Sequence, residues 1–127
     1  MLSFASSLSL DNEAFAIFVN DKFHFKDRKN VLSKEICKKI NSYLGTLKDK
    51  KNEEEISSLD ISSKQKCFII KVKKKQETYY PEEKGGIFYS YLKNFKNIKK
   101  IDIYIDSLDF EKEEIVNFSS EFIFGYS

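Results

Sequence analysis

The sequence predicts an α/β domain of three layers, in which helices cover both faces of a mixed sheet of about five strands. Two continuous apolar runs, AFAIFV at Ala14 to Val19 and KCFIIKV at Lys66 to Val72, are typical of strands buried on both faces. Segments with the apolar spacing of amphipathic helices alternate with the strand-like segments. The length of 127 residues suits a single domain with its own core.

The first two strands are predicted near the start of the chain. Leu2 to Leu8 alternates larger and smaller side chains with the period of a strand. Ala14 to Val19 follows, bounded by the turn-forming pairs Asp11-Asn12 and Asn20-Asp21. We expect these two strands to pair with each other in an antiparallel hairpin.

The first helix is predicted to begin after Ser33, a residue that caps helix amino termini well. Glu35 would lie in its first turn, where the helix dipole favours an acid, and Gly45 would end it at the C′ position. The charged run Lys48 to Glu55 then predicts a solvated loop without chemistry. The apolar face of this helix would consist of Ile36, Ile40, Tyr43 and Leu44.

Two strands are predicted in the middle of the chain. The segment around Leu59 and Ile61 indicates a short edge strand. In KCFIIKV, one face would carry Phe68, Ile70 and Val72 and the other Cys67 and Ile69, which predicts a central strand.

The second helix is predicted to begin at Pro81, because proline suits the first helical position. Gly85 and Gly86 lack side chains, so we expect them to let this helix approach the sheet closely. Its apolar stripe would consist of Phe88, Tyr91, Leu92 and Phe95.

The last strand and the last helix complete the prediction. KIDIYID, Lys100 to Asp106, alternates isoleucines with Asp102, Tyr104 and Asp106, which indicates one wetter face and a place near a sheet edge. Asp109 would cap the final helix, and Gly125 would end it. The apolar face of the final helix would consist of Ile115, Phe118, Phe122 and Tyr126.

Charge and hydropathy narrow the function only slightly. The chain has 22 basic and 20 acidic residues, and a net charge of +2 does not indicate a nucleic-acid or anionic-membrane partner. The first residues contain no basic region, and no apolar run approaches the length of a membrane span. We therefore expect no membrane association and a cytoplasmic location. Cys37 and Cys67 lie in apolar patterns, which predicts structural thiols.

The residues show no catalytic, cofactor-binding or metal-binding motif. His24, the single histidine, lies between two phenylalanines without a second ligand at a recognisable spacing, and we interpret it as a loop residue. Asp102 and Asp106 would be roughly 13 Å apart along a strand, too distant to share one ion. The paired serines lack a nucleophile elbow, and Gly85-Gly86 forms no phosphate-binding loop.

One cluster allows a ligand-binding hypothesis. Lysines and tyrosines follow the predicted central strand at its carboxyl end, where α/β sheets commonly open a crevice. Such a cluster can hold a nucleotide or an RNA base, although lysines also commonly solvate the end of a strand that leaves the core. The cluster consists of Lys71, Lys73, Lys74, Lys75, Tyr79 and Tyr80.

The carboxyl-terminal stretch VNFSSEFIFGYS, residues 116–127, resembles a segment of the leucyl (cytosol) aminopeptidases. There the last helix of the amino-terminal, non-catalytic domain precedes the linker to the catalytic domain. The upstream order of strands and helices is similar to that domain over nearly the whole chain.

The resemblance implies a macro-domain-like fold that packs near a carboxy-terminal aminopeptidase domain and contributes to a hexamer. In that family two divalent metals, zinc or manganese, lie in the catalytic domain, and no position of this chain matches the metal-binding motif. We therefore expect this chain to be non-catalytic and to hold no cofactor, with a packing, oligomer-contact or regulatory role. The alternative is a stand-alone macro-like module that binds a nucleotide or RNA.

Overall fold

The computed structural model describes residues 2–5, 14–27, 31–51, 54–72, 80–95, 98, 100–104, 107 and 112–126. For residues 2–5, 80 and 112–116 it describes the backbone alone. The elements are β1 (Leu2–Ala5), β2 (Ala14–Val19), α1 (Lys34–Asp49), β3 (Ile56–Asp60), β4 (Lys66–Lys71), α2 (Tyr80–Leu92), β5 (Ile101–Tyr104) and α3 (Lys112–Tyr126).

The strands form one mixed sheet in the order β1-β5-β2-β4-β3. β1, β5, β2 and β4 run parallel to one another, and β3 runs antiparallel to β4. The predicted α/β class, with a mixed sheet and helices, is confirmed. The predicted internal position of β4 and the edge position of β3 are also observed.

The predicted antiparallel pairing of the first two strands is wrong. β5 lies between β1 and β2, and Ile101 is in register with Leu2 on one side and Ala14 on the other. The predicted position of β5 near an edge is therefore also wrong. All four residues of β5 are buried, including Asp102 and Tyr104, so the polar members of its alternation do not mark a wet face. Local alternation reports side-chain polarity, whereas burial here follows from the neighbouring strands.

Helices cover both faces of the sheet. Ile40, Leu44 and Leu47 of α1 belong to one core cluster, whereas Phe88 of α2 and Phe118 of α3 belong to the other. The face beneath α1 presents Phe15, Ile17, Cys67, Ile69 and Tyr104. The face beneath α2 and α3 presents Ala16, Phe18, Phe68, Ile70 and Ile103. The two faces of β4 are as predicted, and the result is three layers.

Helix α1 begins as predicted and ends later than predicted. The Ile36 N–H donates to the Ser33 hydroxyl at 3.2 Å, so Ser33 is the N-cap. Gly45 lies inside the helix, which continues to Asp49. A glycine inside a helix destabilises it by about 1 kcal/mol relative to alanine. Leu47, two residues later, is buried and continues the apolar stripe, and its burial offsets that cost.

Helices α2 and α3 meet at glycines. A Cβ on Gly85 would overlap the backbone of Phe122, and a Cβ on Gly125 would overlap the backbone of Glu82. The predicted role of Gly85 is thus corrected, because it allows close approach to α3 rather than to the sheet. The prediction that Gly125 ends α3 is wrong, because Gly125 lies within the helix. The predicted cap Asp109 lies outside the described residues.

The buried face of α3 matches the prediction where its side chains are described. The ring of Phe18 lies edge-on to Phe118 and Phe122, with centroids 5.4 Å and 5.6 Å away. Tyr126 is half-buried and packs against Phe88 and Tyr89 of α2. These aromatic contacts seat α3 on both the sheet and α2.

Candidate functional site

The carboxyl ends of β2 and β5 define the place where this sheet would hold a ligand. The two strands are parallel neighbours, yet the helix that follows β2 lies on one face and the helix that follows β5 lies on the other. In open α/β sheets, such a reversal leaves a crevice outside the carboxyl ends of the strands. The polar groups that the fold brings to this edge include those of Lys71, Asp27 and Ser107.

Only one member of the predicted lysine and tyrosine cluster has a described side chain. Lys71, the last residue of β4, places its ammonium 5.1 Å from the centroid of the Phe23 ring. Lys73, Lys74, Lys75 and Tyr79 lie outside the described residues, and Tyr80 is described only as the first backbone position of α2. The structure therefore brings Lys71 to the carboxyl edge and leaves the rest of the cluster as a prediction.

Asp27 joins the loop after β2 to the end of β5 and the start of α1. Its Oδ1 accepts hydrogen bonds from the Val31 N–H at 2.9 Å and from the Tyr104 hydroxyl at 2.6 Å. Its Oδ2 accepts from the Leu32 N–H at 2.9 Å and from the Cys37 thiol at 3.8 Å. One carboxylate thus connects the loop after β2 with the start of α1 and with Tyr104, which lies 77 positions further along the chain.

Burial and hydrogen bonds shift the pKa values of Asp27 and of the neighbouring Cys37 in opposite directions. Burial alone would raise the pKa of this carboxyl, but the hydrogen bonds from Tyr104, Leu32 and Val31 lower its pKa below the ordinary value. The pKa of the Cys37 thiol is raised, first by burial and then by the adjacent Asp27 charge. Asp27 is therefore an ionised acceptor beside an unreactive thiol, an arrangement that holds a loop rather than activates a nucleophile.

Ser107 closes the gap between β2 and β5. Its buried hydroxyl accepts a hydrogen bond from the Phe18 N–H at 2.8 Å and donates one to the Tyr104 carbonyl at 2.5 Å. The hydroxyl thereby satisfies a β2 amide beyond the last registered pair, Ile17 with Tyr104. Ser107 therefore lies at the carboxyl ends of both strands.

A buried ion pair lies at the end of β4. The Lys84 side chain of α2 is 2% exposed, and its ammonium is 2.5 Å from Glu55 Oε1, whose side chain is 46% exposed. The Glu55 carbonyl also accepts the Lys71 N–H at 2.9 Å, which places the pair beside the strand terminus. The charged run that ends with Glu55 was predicted to be solvated, and Glu55 is exposed, although its carboxylate also pairs with Lys84.

Burial and the local charges act in opposite directions on Lys84. Burial lowers its pKa below the ordinary value, and the hydrogen bond and charge of Glu55 oppose that change. The charge of Lys71 acts in the same direction as burial. Lys84 is thus a desolvated cation paired with the half-exposed carboxylate of Glu55, and the charge of Glu83 also opposes the effect of burial on its pKa.

Sequence patterns did not indicate Asp27, Lys84 or Ser107. Each makes a hydrogen bond to a partner between 29 and 89 positions away, which no local pattern reveals. Lys84 lies beside Gly85 in a helix that also carries Glu82 and Glu83, so nothing local distinguishes this lysine. Neither that lysine nor the loop aspartate has a spacing that specifies its partner.

The other predicted site residues have plain structural roles. His24 is exposed in the loop after β2, as interpreted, and its N–H donates to Asn20 Oδ1 at 2.9 Å. Cys67 is fully buried, which raises the pKa of its thiol, and Cys37 is half-buried. Asp102 is buried, not solvated as predicted, and Asp106 lies outside the described residues. Over the described part of the chain, no group of three potential metal-ligating side chains comes together.

A groove runs between α1 and the edge strand β3. It has a volume of about 540 Å³ and is open to solvent. The α1 wall carries both charged and hydroxyl side chains, and Leu59 of β3 forms the opposite side. The residues from α1 are Glu35, Lys38, Lys39, Ser42, Tyr43 and Thr46.

Exposed apolar side chains lie on α2 and α3. Phe124 is 70% exposed, Tyr89 45% and Ile123 44%. The Tyr89 ring packs edge-on against Tyr126 at 5.2 Å, and the Lys93 ammonium lies 4.8 Å from the Tyr89 ring centroid. We call Tyr89, Ile123, Phe124 and Tyr126 the α2/α3 surface.

Comparison with known proteins returned no family model, curated protein or solved structure that matches this chain. Among the helices in the described ranges, none combines the length and apolar character needed to cross a membrane.

Proposed function

We propose that this chain is a non-catalytic domain that acts by contacting other polypeptide surfaces. The observation that carries the proposal is the α2/α3 surface, where Phe124, Tyr89 and Ile123 expose between 44% and 70% of their area. Large aromatic side chains on a rigid surface are the residues that most often supply binding energy in protein interfaces. Here the close α2–α3 contact at Gly85 and Gly125 supplies the rigid support.

The family resemblance supplies a specific form of this proposal. The chain would be the amino-terminal domain of a leucyl aminopeptidase-like protein, with a macro-domain-like fold and a cytoplasmic location. Three layers and a mixed sheet with one antiparallel edge strand support that fold. Removal of amino-terminal residues from peptides would be carried out by a carboxy-terminal domain that holds two divalent metals, zinc or manganese. The partners would be that domain and further copies in a hexamer.

Activity and association assays test this proposal. With Zn²⁺ or Mn²⁺, the purified chain should release no product from Leu-p-nitroanilide above background, and reproducible turnover would contradict a non-catalytic role. Sedimentation velocity over a concentration series should show self-association. Phe124→Asp should weaken it about tenfold or more, because a charge would be buried in the contact.

A matched variant separates loss of the contact from added charge. Asn41→Asp places the same new charge on an exposed position of α1, away from the α2/α3 surface. It should leave the association unchanged. Equal association of the wild-type chain and Phe124→Asp would show that this surface makes no contact between copies.

The alternative is a stand-alone macro-like module for a nucleotide or RNA. The position of Lys71 at the carboxyl end of β4 favours it. Calorimetric titration with ADP-ribose and with a short RNA distinguishes the two functions. Saturable binding that Lys71→Ala weakens would support the module, whereas no heat of binding would favour the contact domain.

A further inference from the structure

We propose that the outer edge of β3 and the adjoining α1 groove bind an extended peptide segment of a partner protein. The peptide would add a strand to the sheet and place an acidic side chain opposite Lys38. This inference goes beyond the proposed function, because it concerns a different surface from the α2/α3 surface and does not depend on the aminopeptidase resemblance.

The hydrogen-bonding pattern of β3 shows which backbone groups face outward. The Lys71 N–H donates to the Glu55 carbonyl and the Ile61 N–H donates to the Gln65 carbonyl, both at 2.9 Å. Bonding alternates along an antiparallel pair, so residues 55, 57, 59 and 61 point their backbone groups toward β4. Ser58 and Asp60 therefore direct their N–H and C=O groups away from the sheet.

The accessible part of this edge lies next to the groove. In the sheet formed by the described strands, β3 is the last strand and β4 is its neighbour. Ile56 and Ser57 are buried, whereas Ser58 and Leu59 are half-buried and Asp60 is exposed. A peptide strand would therefore pair with the second half of β3, where Leu59 already forms part of the groove.

The groove has the form of a strand-addition site. Its two sides are an edge strand and a helix, the arrangement in which PDZ and PTB domains hold extended peptides. Backbone hydrogen bonds to Ser58 and Asp60 would supply affinity. Alternate peptide side chains would enter the groove between Leu59 and Tyr43, which favours an aliphatic residue there.

Charge selects the chemistry of the peptide. Lys38 is exposed on the groove wall, while the neighbouring Lys39 ammonium already donates to the Ile61 carbonyl at 2.8 Å. Asp60 is paired with Lys66 at 2.6 Å, which reduces its repulsion of an incoming acid. Lys38 is thus the cation placed to receive a carboxylate, so the peptide should carry an acidic residue beside its aliphatic one.

Selection from a phage-displayed library of random linear peptides provides the probe. The enriched peptide is synthesised, and its dissociation constant is measured by fluorescence anisotropy with the full chain. Ser58→Pro removes an outward N–H while leaving the ladder to β4 intact, and should weaken binding about tenfold or more. Lys38→Glu should weaken it, whereas Lys48→Glu, the same change elsewhere on α1, should not.

A change in the peptide tests strand addition without altering the protein. Two versions of the peptide are compared, one N-methylated at its odd-numbered amides and one at its even-numbered amides. Only alternate amides of a paired strand face β3, so one version should lose binding and the other should keep it. Amide chemical shifts should move at Ser58 and Asp60 in the bound wild-type chain. These measurements remain decisive if Ser58→Pro fails to fold.

Three outcomes would overturn the inference. One is the absence of any enriched peptide. Another is a peptide that still binds in both N-methylated versions and still binds the Lys38→Glu variant, since such a peptide would lie elsewhere on the protein. The third is a wild-type dimer that Ser58→Pro dissociates, which would place a second copy at this edge.

Discussion

The buried ion pair between Lys84 and Glu55 predicts a strong asymmetry between two substitutions that remove the same contact. Glu55→Gln removes the negative charge that lies 2.5 Å from the Lys84 ammonium, and the Lys84 side chain is only 2% exposed. Lys84→Met leaves a carboxylate that is already 46% exposed and can be hydrated. Glu55→Gln should therefore be the more damaging change, although it is the smaller one.

The exposures give the expected magnitudes. Loss of one partner from a fully buried pair costs 3–5 kcal/mol, and the half-exposed position of Glu55 screens the attraction, so we expect about 2 kcal/mol for Glu55→Gln. Methionine fills a volume similar to that of the lysine stem, so Lys84→Met should cost about 1 kcal/mol or less. Urea unfolding followed by circular dichroism measures both.

The pH dependence provides a second test. The folded-state pKa of Lys84 is lowered. Below that pKa the folded chain bears the whole free-energy cost of burying the charge. The cost decreases as pH rises from the folded-state pKa toward the ordinary lysine pKa of about 10.4, because the buried amine loses its proton. Loss of Glu55 lowers the folded-state pKa further. The penalty of Glu55→Gln should therefore shrink as pH rises from neutral toward the ordinary pKa of lysine. Equal losses in both variants, or a larger loss for Lys84→Met, would refute this reasoning.

Two further predictions concern the contacts of the helices and the loop after β2. Gly85→Ala and Gly125→Ala should each lose about 1–3 kcal/mol of unfolding free energy, because each added methyl meets backbone atoms of the other helix. Gly45→Ala, where nothing lies within 4 Å of the added methyl, should gain about 0.5–1 kcal/mol. Similar effects at all three glycines would contradict the close helix contact. Asp27→Asn should lose about 1–3 kcal/mol at neutral pH. Because the pKa of Asp27 is lowered, the stability that its carboxylate contributes is present above about pH 4 and is lost as pH falls through the folded-state pKa. Unfolding curves of the wild-type chain and Asp27→Asn should therefore converge in acid. A difference in unfolding free energy that stays constant with pH would contradict this role of Asp27.

Patterns that depend on near neighbours were predicted correctly. The continuous apolar run of β2 predicted a strand buried on both faces, and the alternation within β4 predicted which side chains face each core. Ser33 predicted the start of α1 because a capping bond closes within three residues. The apolar spacing of Phe118 and Phe122 likewise predicted the buried face of α3.

Patterns that depend on distant partners were predicted wrongly or missed. β5 was expected near an edge, because Asp102 and Tyr104 are polar, yet it is inserted between β1 and β2. Gly125 was expected to end α3, because a helix end is the common place for glycine, yet it faces the backbone of Glu82. The candidate site was also missed, since Asp27 and Lys84 acquire their roles only from remote donors and acceptors.

The sequence by itself determined the α/β class, the positions of the most apolar strands and the buried sides of the helices. These features follow from side-chain periodicity, which is a local property of the chain. Tertiary structure decided the strand order, the direct contact of α2 with α3 at glycines, and the outward backbone groups of Ser58 and Asp60. Each of these depends on which distant segments meet, because backbone hydrogen bonds and close packing are satisfied only between partners brought together by the fold.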